Sequence, residues 1–247
     1  MSDKKQVIWA VLPAAGSGTR MESDTPKQYL SIAGKTILAI SIEKFLQMDE
    51  LAGVVVVLGK DDSNWSSLPY DNHPKVHQVL GGATRSESVL HALQYLSHLD
   101  EYNDEQVDMW VMVHDAARPC VRVQSVRQLI SYCCDHHRGA ILASPIADTV
   151  KKIQFKEDEN QDRSIEKTLN REYLWQAHTP QMFLVRELKP ALDYCLLDGL
   201  HVTDEASAIE NVHGEADVVM DRRDNIKITH PEDLALAEFI LQQQGNL

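Results

Sequence analysis

Four stretches of the chain are apolar almost without interruption: "VIWAVLPA" (7–14), "GVVVVLG" (53–59), "MWVMVHD" (109–115) and "GAILASPI" (139–146). Runs of this length, bounded by polar punctuation, are the pattern of strands buried on both faces, which is the situation in a parallel sheet. Between the first three the apolar positions fall instead at helical spacing. In "TILAISIEKFLQM" the positions Ile37, Leu38, Ser41, Ile42, Phe45 and Leu46 fall mainly on one helical stripe. A second helix is expected from about Arg85 in "GGATRSESVLHALQYL", behind a Gly81-Gly82 turn. A third is expected in "THPEDLALAEFILQQQ", where Thr229 and Glu232 have capping-box spacing and Pro231 lies in the first turn.

Alternation of strands and helices predicts an α/β fold, Rossmann-like, with a mostly parallel sheet. From about residue 148 to 181 the rhythm breaks: "DTVKKI" and "IEKTL" flank the polar "FKEDENQDR". That pattern predicts a protruding β-arm with a solvated acidic tip. No linker or internal repeat divides the rest, so the expected organisation is a single domain over 1–247 with the arm as an excursion.

Composition narrows the chemistry. A formal net charge of −13 opposes binding to nucleic acid or an anionic membrane, so an anionic ligand must be held by a local group of Lys and Arg. No apolar run reaches the roughly 18 residues of a membrane span, and the N-terminal "MSDKKQ" leads into a strand without a signal-like apolar region; a cytoplasmic protein is expected. Cys120, Cys133, Cys134 and Cys195 have no C-x-x-C spacing, which predicts reduced core thiols rather than a disulfide or zinc framework.

The first strand opens into "PAAGSGTRM" (13–21), followed by "PKQYL" (26–30). A dinucleotide fingerprint and a Walker loop both require glycine where Met21 stands. What remains is a loop whose small residues Ala14, Ala15, Gly16 and Gly18 admit phosphate close to backbone N–H groups. Arg20 and Lys27 follow as cations suited to a nucleotide that reacts. Asp115 ends a buried strand, at the edge where α/β folds bind ligands, and offers hard oxygen ligands for Mg²⁺ on a triphosphate.

Through "PAAGSGTRM", "PKQYL", "GGATRSESV", "VHDAARP", "DTVK", "HTPQ", "TDEASA" and "DNIKIT" the chain resembles, nearly end to end, the 2-C-methyl-D-erythritol 4-phosphate cytidylyltransferases of the non-mevalonate isoprenoid route. The resemblance implies a nucleotidyltransferase fold, with CTP and a polyol phosphate as substrates and a divalent cation, Mg²⁺, accompanying CTP. It implies nucleotide contacts from Gly82, Arg85 and Ser88, a phosphate contact from Lys227, and a clamp on methylerythritol phosphate from Arg171. Arg118, Thr149, Thr179 and Thr203 are further substrate-side candidates, and Asp224 is a second candidate for holding metal or orienting Lys227. The segment "DRRDNIKIT" reads as a late or edge strand presenting Lys227. Ala83 departs from relatives that carry an acid there, which shifts base selection toward backbone groups. The family also implies a homodimer through the arm. Transfer to another polyol phosphate, such as ribitol 5-phosphate, and a catalytically silent nucleotide-binding subunit remain as alternatives at this point.

Overall fold

The structure is a computed structural model that describes residues 4–16, 25–155 and 163–246. In chain order, β1 (Lys5–Pro13) is followed by the short pair β2 (Ser31–Ile32) and β3 (Lys35–Thr36), helix α1 (Ile37–Leu46), β4 (Leu51–Leu58) and β5 (Val76–Leu80). Then come α2 (Arg85–Leu96), α3 (Asp100–Asn103), β6 (Val107–Val113), α4 (Val123–His136) and β7 (Ala140–Pro145). The second half adds β8 (Lys151–Phe155), β9 (Arg163–Thr168), β10 (Trp175–Leu184), α5 (Val185–Leu197), α6 (Glu205–His213), β11 (Asp217–Met220) and α7 (Glu232–Gln243).

Among the described residues one seven-stranded sheet forms in the order β11-β7-β10-β6-β1-β4-β5. Only β10 runs antiparallel to its neighbours β6 and β7; the other pairings are parallel. The expected mostly parallel α/β fold is therefore the observed one. Alternation along β1 divides the core: Ile8, Ala10 and Leu12 pack on one face with α1 and α4, while Val7, Trp9 and Val11 pack on the other with α2, α5 and α6. A third cluster seats α7, through Ala237 and Leu241, on Ile32, Ile37 and Ile228.

The connection out of β1 leads toward β4, whereas that out of β6 leads toward β7 on the other side. Their carboxyl ends thus flank a switch point, where an open α/β sheet leaves a crevice for ligand.

Helices α1 and α2 start where the sequence places them. Thr36 caps α1 by accepting from Ala39 N, and Thr84 and Glu87 form a capping box at α2. At α7 the predicted Thr229–Glu232 box does not form. The Asp233 carboxylate instead accepts from Thr229 N and His230 N, and the Thr229 hydroxyl donates to the Lys227 carbonyl. The helix begins one residue beyond Pro231, so the side chain that reaches back is one position later.

β8 and β9 pair antiparallel as the predicted arm, with its tip outside the described residues. The returning segment from Trp175 onward is not arm but the central strand β10. "DRRDNIKIT" is a second difference: it is irregular loop, not strand. Its alternation reflects anchoring, since Ile228 is fully buried and donates its N–H to the Ala117 carbonyl, while Asn225 is buried among polar groups. No described helix is long and apolar enough to cross a membrane.

Candidate active site

A cleft opens at the carboxyl ends of β1 and β6. Pro13, Ala14, Ala15 and Gly16 line one wall, the turn from Gly82 to Arg85 with Ser88 lines another, and Asp115, Ala116 and Ala117 form its floor. Lys27, Gln28 and Lys227 complete it. The sequence-predicted residues Ala14, Ala15, Gly16, Lys27, Gly82, Arg85, Ser88, Asp115 and Lys227 are thereby brought together. Gly18 and Arg20 lie outside the described residues.

Local bonds fix each wall. The Gln28 amide donates to the Ala14 carbonyl at 2.7 Å, tying the turn at Lys27–Tyr29 to the end of β1. The Ser88 hydroxyl donates to the Thr84 carbonyl and accepts from Gly82 N, so the predicted nucleotide-side serine also shapes the glycine turn. A Cβ at Gly81 would stand 2.6 Å from Ala15 Cβ and 2.9 Å from Ser88 Oγ, too close for any side chain. Ser41, read as part of an apolar stripe, is fully buried and donates to the Ala116 carbonyl at 2.8 Å, which holds the floor.

Across the floor runs a chain of alternating charges. Arg85 presents Nη1 and Nη2 to the two oxygens of Glu205 at 2.7 and 3.1 Å, and its Nε to Asp115 Oδ1 at 3.0 Å. Lys227 Nζ approaches Asp115 Oδ2 at 2.6 Å. Burial alone would raise the Asp115 pKa, but Arg85 and Lys227 outweigh it and hold the carboxyl well below the usual range. Burial likewise works to lower the Arg85 pKa, and the charges of Glu205 and Asp115 reverse that, fixing it as a cation. Asp115 is the one carboxylate lining the cleft among the described residues. A Mg²⁺ ion that arrives on a triphosphate needs one or two protein carboxylates and takes its remaining ligands from phosphate and water; Asp115 can offer it an oxygen because each of its two oxygens keeps a second acceptor site beside the Arg85 or Lys227 bond.

Other expected contacts lie elsewhere. Asp224 does not line the cleft; its Oδ2 accepts from Arg122 at 2.6 and 2.9 Å, a salt bridge on the α4 side, while its Oδ1 has no hydrogen-bond partner among the described residues. Arg118 is buried and turned into the protein, donating to the carbonyls of Asn225 and Ala177. That role joins the β6 loop to the Lys227 loop, while its Nε is buried with no hydrogen-bond partner among the described residues. Thr179 is also buried, accepting from Asp115 N at 3.0 Å. Thr149 and Thr203 are exposed and do not line the cleft. Arg171, exposed at the base of the arm, donates to the Ala147 carbonyl and does not line the cleft of its own chain.

Sequence reading overlooked Glu205 and Gln28. Glu205 lies in the quoted "TDEASA", but an acid in a helix's first turn is explained by the helix dipole alone. Gln28 lies in "PKQYL" and carries no periodic signal.

A glycine-turned cleft with cations around a strand-end aspartate, on a mostly parallel sheet, defines a nucleotidyltransferase-type α/β enzyme. Residues 8–243 match the family model described as IspD, 2-C-methyl-D-erythritol 4-phosphate cytidylyltransferase. The chain belongs to that family. It is 46% identical to the 2-C-methyl-D-erythritol 4-phosphate cytidylyltransferase of Vibrio atlanticus (strain LGP32), over 98% of this chain and 99% of the relative. It is 44% identical to that of Acinetobacter baumannii (strain ATCC 17978), over 96% and 95%. The crystal structure of the Francisella tularensis enzyme superposes with a TM-score of 0.78 at 36% identity, covering 95% of this chain and all of that one.

Proposed function

We propose that the chain transfers the cytidylyl group of CTP to 2-C-methyl-D-erythritol 4-phosphate, giving 4-diphosphocytidyl-2-C-methyl-D-erythritol and pyrophosphate. The observation that carries this reading is the convergence of Arg85 and Lys227 on Asp115, with Lys27 lining the same cleft, beneath the Ala14–Gly16 and Gly82 turns. A phosphate monoester has its second pKa near 6, so the acceptor is largely dianionic at neutral pH and already a nucleophile. One of its oxygens attacks the α-phosphorus in line. The new P–O bond forms as the bond to the bridging oxygen breaks, and pyrophosphate leaves with that electron pair.

No proton has to be abstracted, which accords with a cleft of cations and one carboxylate. Lys27 and Lys227, with Arg20 from the glycine loop, neutralise charge that moves from the attacking to the leaving oxygen. Asp115 would hold a divalent cation on the triphosphate, and that cation supplies further positive charge at the phosphoryl oxygens. The Ala14 carbonyl and the Gly81-Gly82 turn suit recognition of the base by backbone groups.

The working unit in this reading is a homodimer, each chain a single domain with its arm as the dimerisation element. The arm exposes Ile153, Phe155 and Ile165, with Tyr173 and Trp175 near its base, and a two-stranded hairpin needs a surface to pack on. The four cysteines are free thiols, in keeping with a cytoplasmic setting.

The test is pyrophosphate release from CTP and Mg²⁺ with methylerythritol phosphate and, separately, ribitol 5-phosphate. Release with the first supports the assignment. Release with ribitol 5-phosphate alone overturns it.

A further inference from the structure

Glu205 is 1% exposed and does not line the cleft, yet it is paired with Arg85, which does. An arginine fork free to choose takes both oxygens of a carboxylate in a bidentate pair. Here the Arg85 fork is already taken, Nη1 and Nη2 facing Glu205, so Asp115 receives only the single Nε donor on Oδ1. Oδ2 is thereby left to Lys227. The Glu205 end of the chain is itself fixed. Gln181, in the central strand β10, donates to the Asp204 carboxylate at 2.8 Å and accepts from Ala206 N at 2.8 Å, bracketing Glu205 at the start of α6.

We infer that Glu205 is a positioning residue for the transfer reaction: by occupying the fork of Arg85 it keeps Asp115 open to Lys227 and so holds the Lys227 ammonium in the cleft. The inference rests on the functional reading above for its kinetic consequence, and on geometry alone for its structural one. Glutamine at this position offers one acceptor oxygen and turns an N–H₂ toward a donor. The fork is then released to close on Asp115, and Lys227 loses its partner.

Two measurements on the full-length protein test this. In a crystal structure of Glu205→Gln, the Arg85 fork is expected on Asp115 with Lys227 displaced; Lys227 still paired to Asp115 overturns the inference. In pyrophosphate-release assays, Glu205→Gln is expected to lower kcat by up to roughly 10²-fold, the scale for misplacing a group in the reacting centre, with a much smaller change in KM for CTP. Made in a Lys227→Ala background, the same substitution is expected to change kcat by less than about threefold, because the lysine it positions is already gone. Equal losses in both backgrounds overturn the inference, since a merely architectural glutamate costs the same with or without Lys227. Glu205→Asp keeps the charge and is expected to retain more activity than Glu205→Gln; if the glutamine variant fails to fold, the aspartate variant carries the same comparison. A silent wild-type enzyme would reject the functional reading and leave the crystallographic result to decide this one.

Discussion

The Thr179 hydroxyl lies 3.1 Å from His114 Nδ1 and 3.0 Å from the backbone N of Asp115, making it a relay between a buried imidazole and the aspartate of the cleft. Directions follow from chemistry. The Arg118 carbonyl, 3.1 Å from His114 Nε2, can only accept, so Nε2 carries the proton. Burial pulls the His114 pKa down to about 4, leaving the ring neutral with a lone pair on Nδ1. Thr179 therefore donates to the ring and accepts from Asp115 N. Thr179→Val should leave both neighbours unpaired and lower stability by about 1 to 3 kcal/mol. Thr179→Ser, which keeps the hydroxyl, should lose less; equal losses in urea melts would dismiss the relay.

His114 also predicts a pH dependence. Its folded pKa is depressed, so below the ordinary imidazole value the unfolded chain binds a proton that the folded one refuses. Stability from this source is complete above about pH 6.5 and is lost as pH falls toward about 4, by about 3 kcal/mol in all. His114→Gln should be less stable at pH 7 yet show a flatter stability profile across that interval. Parallel profiles for the two proteins would refute the assignment.

Asp115 acts over a more acidic window. Its folded pKa is held well below the ordinary value of 3.8, so its contribution is present above that value, begins to fall there and disappears only as pH falls on through the folded value. Asp115→Asn should cost about 2 to 4 kcal/mol at pH 7, at the lower end because Arg85 keeps Glu205. Its effect should shrink in melts below about pH 3. Activity should fall by about 10².

Much of this was legible in the sequence, for a physical reason. Continuous apolar runs and helical stripes report burial, so β1, β4, β6, β7, α1 and α2 are readable directly. β10 was missed because "WQAHTPQMFL" mixes apolar with polar residues, contains Pro180 and adjoins the arm. Small and charged residues at strand ends mark a site but not the direction each side chain takes. Thus the sequence offers Arg118 and Thr179 as substrate-side candidates without showing that they also bond backbone groups within the fold, and Asp224 as a metal candidate without showing its pair with Arg122. Pairing across distant segments, as between Arg85 and Glu205, leaves no local trace at all.

The glycine turn gives a steric prediction. An added Cβ at Gly81 meets Ala15 and Ser88 inside contact distance, so Gly81→Ala must push the cleft walls or unseat the Ser88 bond to Gly82. The cost should be about 1 to 3 kcal/mol of stability, with a raised KM for CTP. An unchanged KM would mean that this wall does not meet the nucleotide.

The last prediction concerns Arg171. Its guanidinium lies at the base of the arm, bonded to the Ala147 carbonyl and away from the cleft of its own chain. The arm beside it exposes Phe155 at 69% and Ile165 at 60%, apolar surface that a second arm related by two-fold symmetry would cover. If the arms pair, Arg171 of one chain can serve the cleft of the other. Lys27→Ala and Arg171→Ala, each inactive alone, should then complement on subunit exchange: every hybrid has one site with both defects and one with neither. With free exchange half the dimers are hybrids, each with half its sites intact, so activity should return to about a quarter of wild type. If Arg171 serves its own chain, both sites of every hybrid stay defective and the mixture remains as inactive as its parents.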